Sequence, residues 1–127
     1  ELAQRGVIDT EAETHYENGV KAAMEQWGVE LTPGYFANSE AAYDGSLERI
    51  MLQKYIGLYF NDYQQWFEYR RTGFPVLPKN EGMLNNQQAP VRFRYPVSVQ
   101  INNPDNYNAA VARMGADDIN TKVWWQK

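Results

Sequence analysis

From Ser46 to Gly73 the chain reads SLERIMLQKYIGLYFNDYQQWFEYRRTG, and on a ~3.6-residue repeat this pattern predicts one long helix of about seven turns. Leu47, Met51, Leu52, Tyr55, Ile56, Leu58, Tyr59, Phe60, Tyr63, Trp66, Phe67 and Tyr69 share one arc covering well over half the circumference. A helix lying on a single surface needs an apolar stripe only a little over ~100° wide, so this one is expected to be central and covered from two sides. Asp44 or Ser46 can accept from the free backbone donors at its start, and Gly73 followed by Pro75 marks its end. Arg70 and Arg71 fall in the last turn, where a cation meets the negative end of the helix dipole. Asp62 and Arg70 interrupt the apolar arc about 12 Å apart along the axis, too far to satisfy one another. Each needs a salt link with another segment or a ligand contact, and Arg92, Arg94, Asp117 and Asp118 are available.

The rest of the pattern is shorter. Leu2–Gly6 reads as the stub of an incoming helix, Val7–Asp9 as a link, and Thr10 with Glu13 has capping-box spacing for a helix running to Trp27 and stopped by Gly28. Ala12, Tyr16, Val20, Ala23, Met24 and Trp27 form a narrow apolar stripe, so stub, link and helix make an αα-hairpin of the kind found in helical repeats. Val29–Tyr43 reads as a loop with a turn at Pro33-Gly34. Its Tyr35-Phe36 either tucks back onto the core or stands out as a platform on which a sugar could stack. Phe74–Asn103, rich in proline, asparagine and glutamine, is expected to be extended and irregular, with strand character confined to Arg92–Val99 and Pro96 keeping that stretch at an edge. Asn103 caps a short helix that has Pro104 in its first position and ends at Gly115. The fold class expected is therefore mainly α: a helical hairpin, a long central helix and extended irregular C-terminal segments.

Composition narrows the chemistry. The 127 residues make one ordinary domain's length, and 43% hydrophobic content supports a sizeable core. A net charge of −4 with scattered basic residues lacks the footprint of a nucleic-acid binder. No cysteine is present, which excludes disulfides, thiolate metal sites and a thiol nucleophile. No apolar run approaches the ~20 residues that cross a bilayer, so the chain as given is expected to be soluble. It opens without methionine in the middle of a helical pattern, which suggests a piece of a longer protein. His15, the only histidine, falls on a polar helix face and is expected to meet solvent. Asp117-Asp118 is expected to be a solvated turn, the other reading being a metal pair with Asp105 or Asn106. No phosphate loop or nucleophile motif occurs, and neither a cofactor nor a metal is expected.

Several stretches in order carry a resemblance: Gln53-Lys54-Tyr55-Ile56, Trp66 through Pro75 (WFEYRRTGFP), Arg92 through Pro96 (RFRYP), Asn106 through Ala110 (NYNAA) and Lys122 through Trp125 (KVWW). Together they resemble the C-terminal portion of the SusD/RagB-like outer-membrane lipoproteins, across essentially the whole chain. The resemblance implies that residues 1–127 form a single region within a larger SusD-like domain. It further implies a mainly α, tetratricopeptide-like and non-catalytic protein on the surface of a Gram-negative outer membrane, held by an N-terminal lipid anchor outside this chain. Such a protein would bind a glycan, a peptide or another nutrient and partner a SusC-like TonB-dependent transporter. The matched motifs look like packing and capping elements and hand over no ligand residues. As candidates for stacking on a sugar there remain Tyr35, Trp124 and Trp125, whereas Trp27 and Trp66 are expected on core faces. Two other readings stand beside this one. A helical-repeat scaffold for protein partners would share the αα-hairpin. A helical glycoside hydrolase would need two carboxylates about 5–10 Å apart across a cleft.

Overall fold

The computed structural model describes residues 1–126 and is helical, as the pattern predicts. Its helices are α1 (Ala12–Gln26), α2 (Leu47–Gly57), α3 (Gln64–Thr72), α4 (Val97–Asn102) and α5 (Pro104–Met114), with short 3₁₀ turns at Tyr35–Ala37 and Trp124–Gln126. The chain divides into two compact units, Glu1–Leu77 and Pro78–Lys127.

In the first unit α1 packs on α2, and α2 contacts α3. Tyr16, Val20, Ala41 and Met51 are buried between them. The Tyr16 hydroxyl donates to the Ala41 carbonyl at 2.5 Å, and its ring meets those of Tyr43 and Phe36, which fastens the loop after α1 onto the helices. A Cβ placed on Gly57 would lie only 3.1 Å from the Ala23 Cβ, so α1 and α2 approach closely here because two small residues face each other. Ser46 caps α2 by accepting from the Arg49 amide at 3.0 Å, while Asp44 accepts from both the amide and the hydroxyl of Ser46. Those two bonds hold the Asp44 carboxyl below its ordinary range.

The expected central helix is two helices. Residues 58–63 form tight turns, with Tyr59 donating to Ile56 and Asn61 to Leu58, and Phe60 and Asp62 lie at φ of 65° and 44°. Asp62 tolerates this left-handed region whereas Phe60 is strained there, and Gly57, Asn61 and Asp62 are poor helix formers, so the break falls where helix propensity is low. It is sealed by side chains: Gln65 donates to the Tyr55 carbonyl at 2.6 Å and Trp27 Nε1 to the Gly57 carbonyl at 3.1 Å, satisfying acceptors that the last turn of α2 leaves free. The wide apolar arc is thus the superposition of two faces that point in different directions. Asp62 is exposed on the turn and needs no buried partner, and Arg70 lies over the Trp66 ring at 4.4 Å. Trp66 itself is half-buried rather than in a core. Gly73 closes α3 at φ 80°, the C-cap that the sequence predicts.

The hairpin stub is also shorter than expected. Residues 2–5 form turns closed by Arg5 donating to the Glu1 carbonyl, and α1 starts after Glu11 with no side-chain cap. Thr10 is not the cap because its hydroxyl faces His15 Nε2 at 3.0 Å, and that histidine is exposed as expected.

In the second unit α4 and α5 pack together. The stretch expected to have strand character instead turns into α4 immediately after Pro96, and Val97 and Ile101 fall at helical i, i+4 spacing. Helix α5 starts at Pro104 and stops at Gly115, as predicted. Asp117 is not part of a solvated turn. Its carboxylate pairs with Arg92 at 2.9 Å, the two side chains being 6% and 8% exposed, and it also accepts from the Tyr95 amide and the Tyr107 hydroxyl. Arg92 further donates to the Phe93 carbonyl and contacts Met114 Sδ. Arg94 pairs with Asp118 at 3.2 Å, nearer solvent. Arg92 and Arg94 therefore answer Asp117 and Asp118, not Asp62. Val91 donating to the Ile119 carbonyl and the reciprocal Asn85–Asn120 amide pair complete the closure of this unit.

Candidate functional site

Tyr35 belongs to the first unit and Trp124 and Trp125 to the second, so each unit offers its own candidate surface. Tyr35 is half-buried in its 3₁₀ turn, its hydroxyl donating to Gln53 Oε1 at 3.1 Å and its ring edge-on to Phe36. That arrangement combines the two readings of the sequence, because the residue is anchored to α2 while one side of its ring borders open space. The space is a cleft of about 480 Å³, walled by Met24 and Trp27 from α1, Val29 and Tyr35 from the loop, and Tyr55, Ile56 and Tyr59 at the end of α2. An adjoining cleft of about 370 Å³ runs along the same helices past His15, Gly19, Gln26 and Lys54.

Trp27 was expected on a core face and is 46% exposed. As the last residue before the Gly28 stop it stands at the end of its stripe, where α2 also ends, so only its indole N–H is engaged by α2. Position within the helix was the available signal, since a stripe residue in the final turn has a neighbour on one side only. With Tyr35, Tyr55 and Tyr59 it makes an aromatic-walled cleft, the composition with which proteins hold apolar or amphipathic rings.

In the second unit Trp124 is 84% exposed and Trp125 45%. Trp124 borders a cleft of about 330 Å³ whose other walls are Tyr95, Ala110, Arg113, Met114, Lys122 and Val123. Tyr95 is held there by its edge-on contact with Tyr107 and by the Arg92 guanidinium, 5.3 Å from its ring centroid.

Three carboxyls, those of Glu1, Asp44 and Glu68, are displaced from their ordinary range. Glu68 is pushed up by burial, but its hydrogen bonds to Arg71 and Lys54 outweigh this and leave it below the ordinary range; Glu1 is lowered chiefly by Arg71. Arg71 bridges both carboxylates at 2.7 Å and is itself raised, while Lys54 ties Glu68 of α3 to α2 at 3.2 Å. Every displaced carboxyl, Asp44 included, moves down because a hydrogen-bonding or charged partner favours its ionised form. Burial pushes Tyr16 up to about 12, which keeps it a neutral donor. Among the described residues no three His, Asp or Glu side chains converge to hold a metal ion, and no helix is long and apolar enough to cross a membrane.

The family described as SusD-like_2, starch-binding associating with outer membrane, matches residues 1–96. A SusD homolog from Bacteroides fragilis is 28% identical, superposing over 99% of this chain and 32% of its own with a TM-score of 0.81. A chitin-binding protein is 31% identical over 99% of this chain and 30% of its own, TM-score 0.81. A chitin-binding SusD homolog from Flavobacterium johnsoniae is 26% identical over 99% and 34%, TM-score 0.80. No curated protein matches. The chain spans about a third of the length of these solved structures.

Proposed function

Because the chain belongs to the SusD-like family, described as starch-binding and associating with the outer membrane, we propose that it is part of a non-catalytic glycan-binding protein at that membrane. The observation that carries this reading is the superposition of essentially the whole chain on two chitin-binding proteins at TM-scores near 0.8. In this reading residues 1–127 are one region, the C-terminal part, of a larger SusD-like domain that a lipid outside this chain anchors at the cell surface. The domain hands its ligand to a SusC-like TonB-dependent transporter. The aromatic-walled clefts support ring binding. Tyr35, Trp27 and Trp124 are the residues proposed to meet sugar, with Trp125 beside Trp124.

Two measurements test the partner and the ligand separately. Affinity purification of the full-length protein from outer membranes is expected to bring down a TonB-dependent barrel, and recovery of the protein alone from membranes that contain such barrels would count against delivery. Migration in native gels cast with chitin-derived or starch-derived polymer is expected to be retarded. Unretarded migration in every polymer tried would count against glycan binding.

A further inference from the structure

The two units differ sharply in charge. Residues 78–127 carry six lysines and arginines against four acids, whereas residues 1–77 carry six against twelve, so the second unit is cationic within an acidic chain. Two of its four acids, Asp117 and Asp118, are held in ion pairs, and Glu81 does not line the cleft beside Trp124. Asp117 is buried on Arg92 and Asp118 is paired with Arg94. Asp105 stands in the first turn of α5, eight residues and about 12 Å along the axis from Arg113.

The cleft beside Trp124 has no acidic wall and holds two cations, Arg113 from the last turn of α5 and Lys122 from the tail, both exposed. Neither forms an ion pair among the described residues. The C-terminal end of α5 contributes only about half a negative charge against them, which leaves the cleft positive. Met114 supplies an apolar floor, and the almost wholly exposed Trp124 presents a ring face.

We propose that this cleft is a subsite for an acidic sugar, the uronate ring of an anionic polysaccharide. The inference rests on the glycan-binding reading and adds the charge class of the ligand. An indole face packs against the C–H face of a pyranose, and a guanidinium grips a carboxylate through two parallel hydrogen bonds, with the ammonium of Lys122 as a second, less directional contact. A neutral sugar would use the ring and leave both cations unanswered.

The test uses the full-length protein and three soluble probes: oligogalacturonate, its methyl ester, and a chito-oligosaccharide. Oligogalacturonate is expected to bind, with affinity falling as salt rises. Its methyl ester and the R113Q/K122Q variant are each expected to bind about tenfold more weakly, the variant losing most of the salt dependence. R113K/K122R should recover the salt dependence, and W124A, which alters a side chain outside any core, should lower affinity for acid and ester alike. Equal affinity for acid and ester, or unchanged binding by R113Q/K122Q, would overturn the proposal. Binding of the chito-oligosaccharide without oligogalacturonate would overturn it and leave the glycan reading standing, and so would binding of no probe while a malto-oligosaccharide still binds; binding of none of the four would remove both. Capture by phosphatidylglycerol vesicles with no affinity for oligogalacturonate would also overturn it, assigning the cations to a lipid surface.

Discussion

Replacing Asp117 by alanine removes the acceptor around which the second unit closes. The carboxylate is 6% exposed and holds three groups: the Arg92 guanidinium at 2.9 Å, the Tyr95 amide at 3.2 Å and the Tyr107 hydroxyl at 3.4 Å. Without it Arg92, 8% exposed, is left as a buried cation, and breaking such a pair costs about 3–5 kcal/mol. The Tyr95 amide lies at an exposed residue where water can replace the bond, so its loss adds about 1 kcal/mol at most. The 3.4 Å contact to Tyr107 is too long to add more. Equilibrium unfolding in urea should therefore show D117A destabilised by about 3–5 kcal/mol with an unchanged denaturant slope. Because the pair is buried, 1 M salt should barely alter the difference. R92M/D117L, which removes both charges together, should cost well below the sum of the two single changes. A loss under about 1 kcal/mol in D117A, or strict additivity in the double variant, would refute the view that this pair locks the unit.

Three further outcomes follow from the first unit. Gly73→Val forces a β-branched residue to φ 80° and should cost about 1–3 kcal/mol in thermal unfolding, whereas Gly73→Asn should be nearly neutral. Gly57→Val places carbon about 3.1 Å from the Ala23 Cβ and should cost about 1–3 kcal/mol by prising α1 from α2, an effect that retained stability in chemical denaturation would exclude. Glu1 and Glu68 titrate below their ordinary 4.5 when folded, so their contribution is fully present above that pH and is lost as pH falls through the lower folded values. Melting temperature should thus hold from neutrality to about pH 5 and drop below about 4.5, and Glu68→Gln should flatten that drop.

The helices were legible where a cap and a period coincide. Ser46, Gly73, Pro104 and Gly115 mark their boundaries through local backbone chemistry and the structure uses all four, whereas Asn103 sits at the cap position of α5 without a capping bond, its Oδ1 accepting from the Asn106 side-chain amide instead. The break between α2 and α3 was not legible from periodicity, since Leu58, Tyr59 and Phe60 continue an apolar run through residues that no longer form a helix. Its signals were Gly57 and Asn61-Asp62, weak formers that the aromatic residues masked. Val97 and Val99 alternate as in a strand, but Pro96 before them and Asn103 after them bound a single short helix. The Arg92–Asp117 pair spans 25 residues and has no local signature; the motifs RFRYP and GADD are each readable, their partnership only in three dimensions. The candidate surfaces were partly visible, because Trp124 and Trp125 escape every stripe. Trp27 was missed because a stripe gives the direction of a side chain but not how far its neighbour extends.

Isothermal titration calorimetry of the full-length protein against chito-oligosaccharide, malto-oligosaccharide and oligogalacturonate tests the central claim most directly, because one trace reports both binding and turnover. The account predicts a saturable isotherm with at least one of these glycans, a return to baseline after each injection, and a loss of heat in a variant lacking the aromatic rings of Trp27, Tyr35 and Trp124. A flat trace with all three glycans, or a baseline displaced in proportion to enzyme concentration as bonds are hydrolysed, would contradict it.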